Sequence, residues 1–244
     1  MAEALELAQR RKVLITGATS GIGLALAQRL SERHDILAVG RRSPEEVSNL
    51  LPESVAYLQA DHADPTGCAT AIAQGLLKLG WLKLDNAVLN AGIGTVVQDA
   101  IEDVELIRET LDTNLTAPVL ISRALYPWLS KAKGTLTLVG SVAHKGQGMF
   151  PTYAASKAGL NGLGRALRSE WRGSVNVHVV HPGPTKTEMH AKAGYDPGKA
   201  GALFIGADQM AAMLEGAMAN GRSPQSLAFV RAWTGGAQTA RRLR

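Results

Sequence analysis

The stretch Thr16-Gly17-Ala18-Thr19-Ser20-Gly21-Ile22-Gly23 decides the fold. It ends a β-branched run and opens a helical pattern over Gly21–Arg33. Gly17 permits a tight turn, Gly21 lets the backbone approach a pyrophosphate, and Gly23 allows the helix to pack closely on the strand. Unpaired N–H groups at the start of the helix favour an anion there. The stretch therefore predicts a dinucleotide-binding turn, although a plain strand–helix connection can use the same glycines.

Strand-like runs alternate with helical patterns along the rest of the chain. Most of the runs are apolar throughout, as expected of strands that are buried on both faces of a parallel sheet. The predicted strands are Lys12–Thr16, Asp35–Gly40, Val55–Ala60, Asp85–Asn90, Thr135–Gly140, Val175–His181 and Leu227–Val230. The predicted helices are Gly21–Arg33, Pro65–Leu79, Glu102–Lys131, Thr152–Trp171 and Asp208–Asn220. This alternation predicts a doubly wound α/β fold, with a parallel sheet of about seven strands and helices on both faces.

No linker, repeat or low-complexity segment divides the 244 residues, so we expect a single domain over residues 1–244. Pro182–Gly206 is irregular and longer than most loops, which makes residues 183–206 the expected substrate loop.

Cys68 is the one cysteine, which excludes an intrachain disulfide and fits a reducing compartment. The sequence shows neither an apolar run of about 18 residues nor an apolar signal core. We therefore expect a soluble, cytoplasmic protein without membrane partners.

The composition is that of a globular protein, with 45% hydrophobic and 19% charged residues. The net charge is +5, and its surplus lies beyond Glu215, the last acidic residue, on Arg222, Arg231, Arg241, Arg242 and Arg244. We expect the basic C-terminal tail over residues 231–244 to be a solvated end rather than a nucleic-acid arm. A nucleic-acid-associated protein is the alternative, and it predicts salt-sensitive binding that is lost when the tail is deleted.

Four motifs resemble the short-chain dehydrogenase/reductase family in its compact, single-domain form. They are Thr-Gly-x-x-x-Gly-x-Gly at 16–23, Asn-Ala-Gly at 90–92, Tyr-x-x-x-Lys at 153–157 and Pro-Gly-x-x-x-Thr at 182–187. They follow the predicted strands in the family's order, whereas the family's common C-terminal glycine-rich strand is not found. The resemblance implies a Rossmann fold and a homodimer or homotetramer packed through the family's fourth and fifth helices. Small residues in Ala154–Gly164 would permit that close contact.

The end of the second predicted strand indicates which nicotinamide cofactor binds. Folds that select NAD usually carry an acidic residue about 20 positions beyond the glycine turn. This chain has Gly40-Arg41-Arg42 there. A carboxylate would repel a 2′-phosphate, whereas a guanidinium can hold one through two parallel hydrogen bonds. We therefore expect NADP(H), with Arg41 also able to stack on adenine, although both arginines could be solvated loop charges.

The resemblance implies the other cofactor contacts. Asp61 would contact the adenine ring with His62 beside it, unless Asp61 is a capping or loop carboxylate. Asn90, Ala91 and Gly92 would line the adenosine ribose, unless Asn90 mainly stabilises its strand. The glycine turn would contribute Gly17, Thr19, Ser20, Gly21, Ile22 and Gly23, and the nicotinamide side would be lined by Pro182, Gly183, Thr185 and Thr187.

Tyr153 and Lys157 are four residues apart on a predicted helix, so both side chains leave the same face. A tyrosine has a pKa of about 10. We expect the neighbouring ammonium and the oxidised nicotinamide ring to lower the pKa of Tyr153. Tyr153 would then be a general acid/base that also contacts the bound cofactor. The same pair also arises by accident on exposed helices. By resemblance, Ser141 would bind the substrate oxygen and Asn114 would hold a water beside the lysine.

These residues predict an NADP(H)-dependent oxidoreductase that transfers a hydride between the nicotinamide and a carbonyl or secondary alcohol. The alternative is a catalytically silent NADP(H)-binding regulator. The expected pocket is partly apolar, with Met149, Phe150, Met189 and Tyr195 as candidates, although these side chains could simply anchor loops. The spacing of the histidines and the single cysteine predict no metal site. The absence of Gly-x-Ser-x-Gly disfavours an α/β-hydrolase.

Overall fold

Seven parallel strands form one sheet. The computed structural model describes residues 10–97, 101–189, 193–194 and 198–227. The sheet consists of β1 (Lys12–Thr16), β2 (Asp35–Gly40), β3 (Ala56–Gln59), β4 (Asn86–Leu89), β5 (Thr135–Val139), β6 (Asn176–Pro182) and β9 (Gln225–Leu227). Their order in the sheet is β3-β2-β1-β4-β5-β6-β9. The predicted fold class is confirmed. Residues 228–230 of the last predicted strand, Tyr195 and the basic tail lie outside the described residues.

The helices are α1 (Gly21–Ser31), α2 (Pro44–Val47), α3 (Pro65–Lys78), α4 (Val104–Leu111), α5 (Ala117–Ala132), α6 (Pro151–Glu170) and α7 (Ala207–Asn220). Two hydrophobic clusters separate them into layers. On one face of the sheet, α3, α5 and α6 pack over Leu14 and Leu138. On the other face, α1 and α7 pack over Val13 and Ile15. Alternate residues of β1 thus serve opposite layers, which explains why the strand is apolar throughout.

Two predicted segments differ from the structure. The single helix expected over Glu102–Lys131 is divided into α4, a π turn over Asp112–Thr116, and α5. Pro118 lies in the first turn of α5 and has no N–H to donate, which favours the widened turn. The stretch Pro182–Gly206, expected to be irregular, contains β7 (Thr185–Lys186) paired with β8 (Ile205–Gly206), and a 3-10 helix over Gly198–Leu203.

The sheet order fixes where a ligand can bind. Strand β1 lies between β2 and β4, so the connections that leave β1 and β4 run to opposite faces. A crevice opens at such a switch point, beside the carboxyl ends of the strands. Among the described helices, none is both long and apolar enough to cross a lipid bilayer.

Candidate active site

A cleft of about 280 Å³ lies at the carboxyl ends of β1, β4 and β5. It joins the glycine turn after β1, the ends of β4 and β5, the start of α6 and the loop after β6. Its lining includes most of the predicted site residues, namely Gly17, Ser20, Gly21, Ile22, Asn90, Ala91, Gly92, Ser141, Tyr153, Lys157, Pro182, Gly183, Thr185 and Thr187. The fold therefore brings most of the predicted cofactor and catalytic residues into one crevice.

The glycine turn has the backbone that a pyrophosphate requires. Gly17 and Gly21 have φ angles of +64° and +52°, a region that other residues rarely adopt. A Cβ at Gly23 would lie 2.2 Å from the Gly17 carbonyl oxygen, so only glycine allows α1 to start this close to β1. Ser20 is the N-cap of α1, but its side chain makes no capping bond, and the first turn has no acidic residue. The helix N-terminus is therefore suited to a phosphate.

Asn90 connects β4 to the glycine turn. Its Nδ2 donates to the carbonyl oxygens of Thr16 and Gly17, at 3.1 and 3.3 Å. The Thr16 hydroxyl in turn accepts from the backbone N–H groups of Asn90 and Ala91, at 3.0 and 3.1 Å. The side chain of Asn90 therefore stabilises the strand ends, as its alternative interpretation held, while Asn90 itself also lines the cleft.

Arg42 is built into the far end of the glycine turn. One of its terminal nitrogens donates to the Thr19 carbonyl oxygen at 2.8 Å, and the other lies 3.3 Å from a Glu188 carboxylate oxygen. Arg41 is more exposed and pairs with Glu109 at 3.8 Å. Arg42 is thus held beside the turn rather than solvated, whereas Arg41 keeps much of its contact with water.

Asp61 and His62 are not among the residues that line the cleft. Asp61 is exposed and its carboxylate accepts from the Ala63 N–H at 3.0 Å, which is the loop-capping role left open above. His62 is buried, and its Nε2 has no hydrogen-bond partner among the described residues. Burial lowers the pKa of His62 to about 4. Contacts of this pair with adenine stay a prediction.

Lys157 is buried beneath Tyr153 on α6. Its Nζ donates to the Val139 carbonyl oxygen at 3.1 Å and lies 5.7 Å from the centre of the Tyr153 ring. Burial lowers the pKa of Lys157 to about 8. For Tyr153, burial raises the pKa above its usual value, and a hydrogen bond with Ser141 opposes this rise. Burial thus outweighs any lowering by Lys157 in the protein alone. The expected joint effect of the lysine and the oxidised nicotinamide ring on this pKa stays a prediction.

Ser141 lies directly after β5 and begins a 3-10 turn over Val142–Lys145. Its hydroxyl accepts from the Ala143 N–H at 3.2 Å and lies near enough to Tyr153 to oppose the rise in the tyrosine pKa. Tyr153 follows Ser141 by twelve positions along the chain. The tight 3-10 turn accommodates this spacing, so the serine and the tyrosine meet.

Asn114 is fully buried in the π turn, one layer behind the cleft. Its Oδ1 accepts from the Ile93 N–H, and its Nδ2 donates to the Ile93 carbonyl oxygen, both at 2.8 Å. The same Nδ2 lies 3.1 Å from the Ser156 hydroxyl oxygen. The amide thus fixes the loop after β4 against α6, and the water-holding role implied by resemblance stays a prediction.

Two glycines after β4 make room for the catalytic side chains. A Cβ at Gly92 would lie 2.9 Å from Lys157 Nζ, and one at Gly94 would lie 3.0 Å from the Tyr153 ring. Gly94 is not among the predicted site residues, although a pair of glycines two residues apart is a visible signal. His181 is not among them either, because its contact with Ser141 comes from the neighbouring strand β6 and nothing local in the sequence marks it.

The loop after β6 closes one side of the cleft. Thr185 is buried, and its hydroxyl donates to the Gly183 carbonyl oxygen at 2.9 Å. The Thr187 methyl group would lie 3.0 Å from a Cβ at Gly21, so this loop reaches the glycine turn. Phe150 and Met189 line the cleft on the expected substrate side. Met149 lies outside that lining and is 42% exposed.

Within the described ranges, no group of three His, Cys, Asp or Glu residues could hold a metal ion. Cys68 is buried, and burial raises its pKa to about 12, which makes the thiol a poor nucleophile.

Comparisons with known proteins agree with this geometry. A profile described as short chain dehydrogenase matches residues 11–197. An uncharacterized oxidoreductase of Schizosaccharomyces pombe is 34% identical over 206 residues, which cover 82% of this chain and 79% of that protein. An uncharacterized oxidoreductase of Mycobacterium tuberculosis is 32% identical over 196 residues, or 75% and 77% of the two chains. The 11-beta-hydroxysteroid dehydrogenase A of Sesamum indicum is 30% identical over 200 residues, which cover 77% of this chain but 56% of that protein.

Solved structures share the fold over most of the chain. A short-chain dehydrogenase from Sphingobium yanoikuyae in complex with NADPH has a TM-score of 0.76 and 27% identity, with 87% of this chain and 86% of that chain covered. A short chain dehydrogenase from Burkholderia cenocepacia in complex with NADP has a TM-score of 0.73 and 28% identity, with 84% and 88% covered.

Proposed function

The chain belongs to the short-chain dehydrogenase family, and from its site we propose that it is an NADP(H)-dependent oxidoreductase acting on a carbonyl or secondary-alcohol substrate. The observation that carries this proposal is the meeting of Ser141, Tyr153 and Lys157 in the cleft beside the glycine turn. The hydroxyl groups can bind a substrate oxygen, and the lysine adds a buried cation behind the tyrosine ring. Such a trio is suited to proton transfer at a carbonyl or alcohol oxygen.

Cofactor binding uses the uncapped helix start and the cleft wall. The N–H groups of the turn over Gly17–Gly23 would bind the phosphates, with the positive end of α1 behind them. Lys157 has three donors, and its one hydrogen bond among the described residues goes to Val139, so its ammonium can also bind ribose hydroxyls. When bound, the nicotinamide supplies or accepts the hydride.

Tyr153 would transfer the proton, and Ser141 would bind the substrate oxygen. Because burial raises the pKa of Tyr153, its hydroxyl keeps its proton at neutral pH, and it can donate that proton to a carbonyl oxygen during reduction. In the oxidative direction Tyr153 accepts a proton from the alcohol, which requires nearby positive charge to favour the phenolate. Ser141 holds the substrate oxygen through its hydroxyl, a contribution of the oxyanion-hole type.

A preference for NADP(H) over NAD(H) follows from Arg42. Its guanidinium is fixed beside the glycine turn by the Thr19 carbonyl, and Arg41 adds a second positive charge nearby. No carboxylate occupies the end of β2, where one would repel a 2′-phosphate. The Sphingobium and Burkholderia structures hold NADPH and NADP, respectively, which supports the same preference.

Turnover is tested by NADPH oxidation with a panel of ketones and aldehydes. We expect activity with at least one compound, its loss in Tyr153→Phe, and unchanged NADPH binding in that variant. Tyr126→Phe is the matched control, because Tyr126 is an exposed tyrosine on α5 that packs on Trp171. Full activity of Tyr153→Phe would refute the role of Tyr153 as the general acid/base. NADPH binding by the wild type without any turnover would favour the alternative, a catalytically silent NADP(H)-binding regulator.

Cofactor preference is tested by fluorescence titration with NADPH and NADH. We expect NADPH to bind more tightly, and Arg42→Gln to weaken NADPH binding by about tenfold or more while changing NADH binding little. Arg33→Gln, two residues beyond the C-terminal end of α1 and paired with Glu215, is the control for the loss of a surface arginine. Equal affinities of the wild type for both cofactors would contradict the preference.

We also propose a homodimer or homotetramer through the helix surface beside the cleft. Val104 and Leu106 are exposed on α4, and Ile101, which precedes them, is 75% exposed. Light scattering of the purified protein would test this, with a monomeric mass as the contrary result. A cytoplasmic location and the absence of nucleic-acid partners stay predictions.

A further inference from the structure

Two histidine rings hold the backbone of Ser141 from both sides. The Ser141 N–H donates to Nδ1 of His181, at 3.2 Å. The Ser141 carbonyl oxygen lies 2.7 Å from Nδ1 of His144. The two rings stack on each other, with centroids 3.8 Å apart and planes inclined by 24°. Ser141 is therefore bound to β6 through one ring and to its own 3-10 turn through the other.

These partners determine the proton positions on both rings. A backbone N–H can only donate, so Nδ1 of His181 must be an unprotonated acceptor. Its Nε2 then carries the proton and donates to Oδ1 of Asn161 on α6, at 2.9 Å. A carbonyl can only accept, so Nδ1 of His144 carries a proton. The result is a continuous chain of hydrogen bonds from α6 through β6 to the loop after β5.

The surrounding backbone is shaped to admit the His181 ring. His181 is 1% exposed, and a Cβ at Gly140 would lie 2.3 Å from its Nδ1. Only glycine at the position before Ser141 therefore allows the imidazole to reach the peptide. Burial, with smaller contributions from His144 and Lys157, lowers the pKa of His181 to about 4, so the ring stays neutral and keeps its acceptor near neutral pH.

We propose that His181 is a positioning residue that, with His144 stacked on it, fixes Ser141 so that its hydroxyl faces Tyr153 and the substrate oxygen. This inference rests on the proposed function. Ser141 is a loop residue whose hydroxyl direction depends on its backbone, with φ −162° and ψ 154°. Release of its N–H would free that backbone to turn. A displacement of about 1 Å at a reacting group can cost about a hundredfold in rate.

A merely structural histidine would behave differently from a positioning one. Loss of packing alone would lower stability and would lower activity to the same extent whether or not Ser141 has a hydroxyl. A positioning residue acts through that hydroxyl, so its loss should matter little once the hydroxyl is gone. A double-mutant cycle between the two positions therefore separates the roles.

The experiment uses the full chain, NADPH and the best carbonyl substrate from the panel. His181→Leu keeps the volume and removes the acceptor, and we expect kcat/KM to fall by about ten- to a hundredfold while NADPH affinity stays within about twofold. His181→Asn places an amide oxygen near the former Nδ1, and we expect it to restore most of the lost activity. In a Ser141→Ala background, His181→Leu should lower activity by less than about threefold more.

Further variants separate folding from positioning. His178→Leu is the matched control, because His178 is also buried in β6 but its Nδ1 has no hydrogen-bond partner among the described residues; we expect unchanged activity. If His181→Leu does not fold, His181→Asn and His144→Phe test the inference instead. Phenylalanine at position 144 keeps the ring stack but cannot donate to the Ser141 carbonyl oxygen. His144→Phe should then lower kcat/KM while the asparagine variant largely keeps it.

Equal losses in the wild-type and Ser141→Ala backgrounds would overturn the inference, as would full activity of both His181→Leu and His144→Phe. In these cases the proposed function stands, because wild-type turnover and its loss in Ser141→Ala are unaffected. A wild type without turnover, or a fully active Ser141→Ala, would instead overturn the proposed role of the site and the inference with it.

Discussion

The side-chain amide of Asn114 pairs with both backbone polar groups of Ile93, through two hydrogen bonds of 2.8 Å each. The amide thus makes the two hydrogen bonds to Ile93 that a neighbouring strand would make in a sheet. A third bond reaches the hydroxyl of Ser156, which directly precedes Lys157 on α6. Asn114 therefore determines the distance between the loop after β4 and the helix that carries Tyr153 and Lys157.

We expect Asn114→Ala to lower both stability and activity. The change leaves the partly buried N–H and carbonyl of Ile93 without partners, which costs about 1–3 kcal/mol. Urea unfolding measures the loss, and NADPH oxidation should fall with it because the cleft wall is released. Thr113→Ala, at a buried neighbour in the same π turn, is the control. Equal free energies of unfolding for the two variants would show that the paired bonds contribute nothing.

A methyl group at Gly92 should impair function more than stability. The Cβ of Gly92→Ala would lie 2.9 Å from Lys157 Nζ and 3.2 Å from Asn114 Oδ1. The end of a lysine side chain can move aside, so we expect a change of less than about 1 kcal/mol in the free energy of unfolding. The displaced ammonium would lose its bond to Val139, and turnover should fall by about tenfold or more.

Gly216→Ala is the matched control for this substitution, because a Cβ there meets nothing within 4 Å. Since Gly216 lies within α7, alanine should stabilise the helix by up to about 1 kcal/mol and leave activity unchanged. A Gly92→Ala variant as active as Gly216→Ala would show that Lys157 does not need its observed position.

The depressed pKa of Lys157 gives NADPH affinity a pH dependence. The ammonium loses its proton as the pH rises through about 8. We expect NADPH affinity to be constant at lower pH and to weaken above that value, by about tenfold or more for the loss of charged hydrogen bonds. Titrations between about pH 6.5 and 9.5, which bracket this pKa, measure the effect. Lys157→Met should bind weakly at every pH, and a wild-type affinity that is flat over this range would contradict the prediction.

The titration of Lys157 affects stability in the opposite direction, because a rise in pH that weakens NADPH binding should increase the free energy of unfolding. In the unfolded chain the lysine pKa returns to its usual 10.5, so between about pH 8 and 10.5 the unfolded state binds one more proton than the folded state. From this group, the free energy of unfolding therefore rises with pH across that window. At neutral pH the buried ammonium is a cost, and we expect Lys157→Met to be more stable than the wild type by on the order of 1 kcal/mol. Urea unfolding of both proteins at neutral pH measures the difference, and a less stable Lys157→Met would contradict it.

The strands were predictable because burial on both faces leaves a local signature. Strands β1 and β2 match their predicted bounds at Lys12–Thr16 and Asp35–Gly40. The division of the helix predicted over Glu102–Lys131 into two helices was not predictable, because the spacing of the hydrophobic residues does not reveal a π turn. That turn depends on Pro118 and on the bonds of Asn114 to Ile93, a residue from a distant part of the chain.

The candidate site divides in the same way. The glycine turn and the Tyr153–Lys157 pair are local patterns, so the sequence indicated them and the structure joins them in one cleft. The contact of His181 with Ser141 crosses from β6 to the loop after β5, and its geometry depends on the missing Cβ of Gly140. The burial that raises the Tyr153 pKa is likewise a property of the folded cleft, which residue spacing alone does not reveal.

The pairing of Arg42 with Glu188 should reduce NADPH affinity, because a 2′-phosphate competes with the carboxylate for the same guanidinium. We expect Glu188→Gln to tighten NADPH binding by about two- to fivefold at low salt, the range of an exposed ion pair, and to leave NADH binding unchanged. At about 0.5 M salt the difference should largely vanish. Glu109→Gln, which removes the longer 3.8 Å pair with Arg41, should have a smaller effect. Equal tightening of NADPH and NADH by Glu188→Gln would instead indicate a general effect on the loop after β6 and would separate Arg42 from 2′-phosphate recognition.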